Sequence, residues 1–204
     1  MLTLVINQVE KCREAIRKED TSIAEEVISD EKKVNAQEIA IDRDCENILA
    51  LFTPVATDLR LVLATLKITN DLERIGDNAK TLAKFLVNNK DKATRNFLVE
   101  YNIAAMLEIL IGMLKDMHEA LRTADTRLAL KARKRDEQLN DFNKKAAKIT
   151  ADLIRDHPDD AKCLLTLFSV SKDMERAGDL TKNIGEELVF HIDAKIVKHQ
   201  KEKK

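Results

Sequence analysis

A chain of 204 residues can bury a sizeable core, either as one domain or as two of about 100 residues each. Four glycines, two prolines and 3% aromatic residues, against a background of Ala, Leu, Ile, Lys and Glu, argue against sheet and describe long helices. Charged residues make up 35% of the chain yet sum to a net charge of −1, so the signs are interleaved and no nucleic-acid partner is implied.

Apolar residues at helical spacing predict six helices, over 3–18, 21–52, 54–88, 92–123, 126–155 and 158–196. The opening 1–6 is apolar but has no secretory leader pattern, and Cys12, Cys45 and Cys163 are few, odd in number and widely spaced. Both features fit a reducing cytoplasm. Thr53-Pro54 reads as a helix start, with Thr as cap and Pro at the first helical position. On the third helix Leu61, Thr65, Ile68, Leu72, Ile75, Ala79, Leu82 and Leu86 form a stripe expected to face a core. The apolar run 103–111 contains Glu108 and is too short to span a membrane, so any membrane connection is expected to go through a partner. His157-Pro158-Asp159-Asp160 starts the last helix with carboxylates at the positive end of its dipole. There Cys163, Leu167, Val170, Met174, Ala177, Thr181, Ile184 and Leu188 repeat the core stripe, and the basic run 198–204 reads as a frayed, solvated end.

The two stripes carry a repeat. Asp71-Leu72-Glu73-Arg74-Ile75-Gly76-Asp77 returns as Asp173-Met174-Glu175-Arg176-Ala177-Gly178-Asp179, displaced by 102 residues, half the chain length. Around it Lys80 answers to Lys182, Leu82 to Ile184 and Leu86 to Leu188. The expected architecture is therefore all-α, two tandem pseudo-symmetric antiparallel three-helix bundles, with domains at 1–90 and 91–204.

Glu73 and Asp77, like Glu175 and Asp179, stand four apart and project from one helix face, a spacing at which two carboxylates can bridge metal ions. A single such pair in a charged helix is ordinarily a solvated face. Two copies in register, each enclosing a helix-weakening glycine, shift the balance toward a metal site or a partner surface. Glu38 and Asp42 on the second helix repeat the spacing and can face Glu73 in an antiparallel bundle. An all-carboxylate set suits iron, manganese or magnesium, with zinc as a further option. His118, His157, His191 and His199 are scattered, and none completes the Glu-x-x-His pattern of di-iron oxidation. Arg74 and Arg176 either neutralise the acidic pairs or present a fork to phosphate or a partner. No phosphate loop, nucleophile elbow, zinc-protease motif or paired-cysteine motif occurs, so an enzyme is not expected.

Residues 30–42, 54–62 and 66–78, with 171–183 as the second copy, closely resemble the PhoU family, and the likeness covers most of the chain. The resemblance implies two three-helix bundles, a homodimer and a negative regulator of phosphate uptake and phosphate-starvation signalling. Its implied partners are the ATPase of a phosphate ABC transporter and a sensor histidine kinase. A sodium–phosphate cotransporter is the alternative client, and a carboxylate-bridged metalloenzyme a further, weaker reading. Some members carry iron or zinc clusters on the matching helices, which nominates Glu73, Asp77, Glu175 and Asp179, with Glu38 and Asp42. This chain departs from the family pattern twice. Its first helix begins late, which predicts a shortened helix or a weaker dimer surface, and Asn143 and Ala147 stand where the first half has Glu38 and Asp42. The first bundle is therefore the better place for metal.

Overall fold

The computed structural model describes residues 1–194, and their regular structure is helical throughout. The elements are α1 (Leu2–Lys18), α2 (Thr21–Phe52), α3 (Thr57–Asn88), α4 (Lys92–Glu100), α5 (Ile103–Thr123), α6 (Thr126–Asp156), a 3-10 turn at Pro158–Asp160, and α7 (Ala161–Asp193). The expected run of the last helix to 196 and the basic end 198–204 lie outside the described residues.

The duplication is visible in the capping chemistry. Glu19 and Ala124 end α1 and α5 in the left-handed region, and Asp20 and Asp125 then open the next helices. Each Asp accepts a 2.9 Å bond from a free first-turn amide, of Ser22 and Arg127 respectively.

Two expectations about helix ends are corrected. Thr53 closes α2 with φ 44° instead of opening α3, and α3 begins only at Thr57, after Ala56 at φ 48°. Two consecutive reversals within four residues are needed to fold the chain back at this tip, and Pro54 falls in the connection. The expected helix 92–123 is broken at Asn102, which takes φ 56°, a conformation Asn tolerates better than most residues. The break bends α4 away from α5 by 57° and seats the buried Tyr101 hydroxyl against Thr150 of α6.

Helices α1, α2 and α3 pack on one another, as do α5, α6 and α7. The groups are joined by α1 on α5 and α3 on α7, so one continuous core runs through both. α3 and α7 are antiparallel: Lys67 Nζ reaches Glu187 at 3.2 Å near one end, and Asn78 Nδ2 donates to the Asp173 carbonyl at 3.1 Å further along. α2 and α6 lie on the outer flanks. α5 supplies Ile103, Met106, Leu107, Leu110, Met113, Leu114 and Met117 to the interior, which accounts for its apolar character. Among the described residues no single helix is long and apolar enough to cross a membrane.

The α7 stripe is buried from Leu167 to Leu188, whereas the α3 stripe is buried only from Leu72 onward, with Leu61 exposed. α1 has 17 residues where α2 and α3 have 32 each, so the distal turns of the α2–α3 hairpin extend past their partner. Leu51, Phe52 and Val55 at its tip are 72–73% exposed.

Candidate functional site

Each copy of the repeated motif faces an outer helix across a glycine. On α3, Gly76 is buried, and a Cβ placed there meets Gln8 Oε1 at 3.1 Å and both Glu31 Oε2 and Val34 Cγ1 at 3.4 Å. The missing side chain lets α2 approach closely enough to bring Glu31 over the motif. On α7, a Cβ at Gly178 overlaps Leu139 and lies 3.3 Å from Asp136 Oδ1. Glu31 with Val34 and Asp136 with Leu139 are thus the counterparts that α2 and α6 present to the two motifs.

In the first cleft, ligand oxygens of Glu31, Glu73 and Asp77 all lie within 4.8 Å of one another, the one such group of three among the described residues. Glu31 is 2% exposed. Its Oε2 accepts a 3.1 Å bond from Gln8 Nε2, while its Oε1 is buried without a hydrogen-bond partner. Burial pushes the Glu31 carboxyl above its ordinary range, opposed by Gln8 and Lys80 and reinforced by Asp77. Glu73 is raised by burial and then by Asp77, Glu38 and Glu31. Glu38 is raised by burial, Asp42 and Asp77. The cleft is a concentration of mutually repelling carboxylates, and the one lysine bonded into it, Lys80, reaches Asp77 alone, at 3.0 Å.

The second cleft is built differently. Glu175 and Asp179 face Asp136, which is 4% exposed and raised by burial. Lys182 bonds both Asp136 Oδ2, at 2.8 Å, and Asp179 Oδ1. Burial disfavours the Lys182 charge, but the two carboxylates outweigh that and raise its pKa. Asn143 is a hydrogen-bonding partner of Glu175. Arg74 and Arg176 are both exposed, and Arg176 comes within 3.9 Å of Asp173 on its own helix.

The structure therefore gathers Glu73 and Asp77, with Glu38 close enough to act on Glu73 and Asp42 close enough to act on Glu38, but Glu31 completes the tight group. Glu31 precedes Glu38 by seven residues, two helical turns, and so shares its face. Glu31 is not among the residues expected from sequence; its spacing of four from Val27 and three from Val34, both fully buried, is the signal that could have found it. The donor set fits a cation: an all-oxygen group, one member buried with an oxygen that has no hydrogen-bond partner, and an excess of negative charge.

The sequence matches the PhoU domain profile twice, over residues 1–86 and 103–188. It is 30% identical over 200 residues to a phosphate-specific transport system accessory protein PhoU homolog of Aquifex aeolicus, covering 98% of this chain and 90% of the other. A homolog of the same name from Borreliella burgdorferi is 32% identical over 180 residues, covering 86% and 81%. The crystal structure of PhoU from Pseudomonas aeruginosa superposes with a TM-score of 0.86 at 26% identity, covering 96% of this chain and 93% of that one. The phosphate transport system regulatory protein PhoU from Streptococcus pneumoniae gives 0.79 at 25% identity, covering 96% and 91%. Matched in both halves and along nearly its whole length, this chain belongs to the PhoU family.

Proposed function

We propose that this protein is a regulator that restrains phosphate uptake and phosphate-starvation signalling. In this reading it acts in the cytoplasm as a homodimeric adaptor between the ATPase of a phosphate ABC transporter and a sensor histidine kinase. The observation that carries it is the near full-length match, through both repeats, to proteins named for a phosphate-specific transport system. The same names give no support to a sodium–phosphate carrier as the client. No enzymatic family is indicated by these matches, and a role in binding and regulation follows.

Within that role, the first cleft takes a metal ion, with iron or zinc as the expected occupants and Glu31, Glu73 and Asp77 as the ligands. The supporting observation is the buried Glu31, which keeps an unpartnered Oε1 and stands within 4.8 Å, oxygen to oxygen, of two further carboxylates. A bound cation would relieve the repulsion among these groups and tie α2 to α3. It would thereby fix the shape of an acidic surface that Arg74 borders and partners can read.

Deleting the gene tests the regulatory role. A phosphate-starvation reporter should then be active in phosphate-rich medium and silent again on complementation. A reporter that stays repressed after deletion contradicts the proposal. Co-purification of the tagged protein with the transporter ATPase and with the kinase tests the adaptor role.

A further inference from the structure

The two clefts come from duplicated sequence, yet they solve the problem of clustered carboxylates in different ways. In the first, five carboxylates interact, those of Glu31, Glu38, Asp42, Glu73 and Asp77, and Lys80 bonds only the exposed Asp77. The buried Glu31 Oε1 is left without a partner. In the second, the carboxylates of Asp136, Glu175 and Asp179 converge, while Asn143 and Ala147 replace the two acidic residues of α2. Lys182 Nζ lies between Asp136 and Asp179 and bonds both, leaving Asp136 Oδ1 as the buried oxygen without a partner.

Lys80 and Lys182 hold the same place in the repeat, so the difference does not come from the lysines. It comes from what each finds across the cleft. The Asp136 carboxylate stands where Lys182 can reach it while holding Asp179. Glu31 gives Oε2 to Gln8 and leaves Oε1 without a partner, and no ammonium bonds either oxygen. An ammonium held by two carboxylates supplies the positive charge that a buried acidic group needs, and takes up the oxygens a metal ion would have to bind.

We infer that Lys182 is the resident cation of the second cleft, so that the chain binds metal at the first cleft alone. The inference rests on the metal-binding reading of the first cleft. It makes the protein functionally asymmetric despite its duplicated fold, with one metal-responsive bundle and one permanently closed.

Metal content after loading with iron or zinc and exhaustive dialysis tests this on the full chain, with isothermal titration of Mn2+ as an independent readout. Glu31→Gln combined with Glu73→Gln should lower bound metal by about tenfold or more. Glu175→Gln combined with Asp179→Asn, at partly exposed positions, should leave it unchanged. Lys182→Met should add a second binding event that Asp136→Asn then removes. Loss of about half the bound metal in the Glu175→Gln, Asp179→Asn variant overturns the inference while leaving the first-cleft reading intact. Absence of binding in both the wild type and Lys182→Met overturns both. The Glu175→Gln, Asp179→Asn arm decides the matter even where Lys182→Met does not fold.

Discussion

Replacing Gly185 by Ala measures how tightly α7 is seated against its neighbours. A Cβ at this position lies 2.8 Å from the backbone carbonyl oxygen of Ala129 on α6 and 3.2 Å from Met117 Sδ on α5. A carbonyl built into a helix cannot rotate aside, so α6 or α7 must shift. Overpacking of this kind costs about 1–3 kcal/mol. Ala gains roughly 1 kcal/mol over Gly in a helix interior. The balance runs from neutral to a net loss of about 2 kcal/mol, the difference between those two terms. Gly112→Ala is the matched control, because its Cβ meets only the guanidinium of Arg135. That group is free to swing, and its ion pair with Asp116, at 3.4 Å, is part-exposed and contributes at most about 1 kcal/mol. Its substitution should therefore be neutral or stabilising by up to about 1 kcal/mol. Gly178→Ala, which meets the buried Leu139 side chain, should fall between the two. Urea unfolding followed by far-ultraviolet circular dichroism ranks the three through their midpoints at constant slope. A Gly185→Ala protein stabilised by the full helix-propensity gain would refute the close approach of α6 and α7.

Cys12 is fully buried, donates its thiol to the Ala79 carbonyl at 3.3 Å, and has its pKa pushed up to about 12 by burial. Iodoacetamide at pH 8 should spare it in the native protein and modify it once urea unfolds the chain, as read by mass spectrometry of the peptide. Asp91 caps α4 by accepting from the Thr94 amide at 2.8 Å, and Asp91→Ala should cost about 0.5–2 kcal/mol at neutral pH. The Thr94 amide bond holds the Asp91 carboxyl below its ordinary value of 3.8. Its contribution is therefore present above about pH 4 and fades as pH falls through the lower folded-state pKa. The stability gap between wild type and variant should shrink on acidification, measured by urea unfolding at pH 7 and pH 3. Tyr101→Phe removes a buried hydroxyl bonded to Thr150 and should lower stability by about 1 kcal/mol, seen as a lower thermal midpoint.

The long helices and the duplication were legible because they depend on periodicity, which local sequence carries. The helix break at Asn102 was not, because apolar residues continue through it at helical spacing and only the tertiary seat of Tyr101 requires the bend. The misread start at Thr53-Pro54 has a similar cause: the dipeptide has good capping chemistry, but the chain uses Thr53 to end α2. At the site, the Glu73–Asp77 spacing could be read from one helix alone. Glu31 was concealed among other charged residues of α2, where its spacing from Val27 and Val34 was the one inward signal, and only the close approach at Gly76 shows it meeting the motif. The difference between Lys80 and Lys182 was the least legible feature. The two are equivalent in sequence, and only the carboxylate facing each across the cleft distinguishes them.

The proposed role requires this PhoU-family chain to hold phosphate-starvation genes in check. The most direct measurement is the activity of a phosphate-starvation promoter in phosphate-rich medium, compared among wild type, a strain lacking the gene, and that strain carrying the gene in trans. A repressing role gives a high signal on deletion and restored repression on complementation, and unchanged repression in the deleted strain would contradict it.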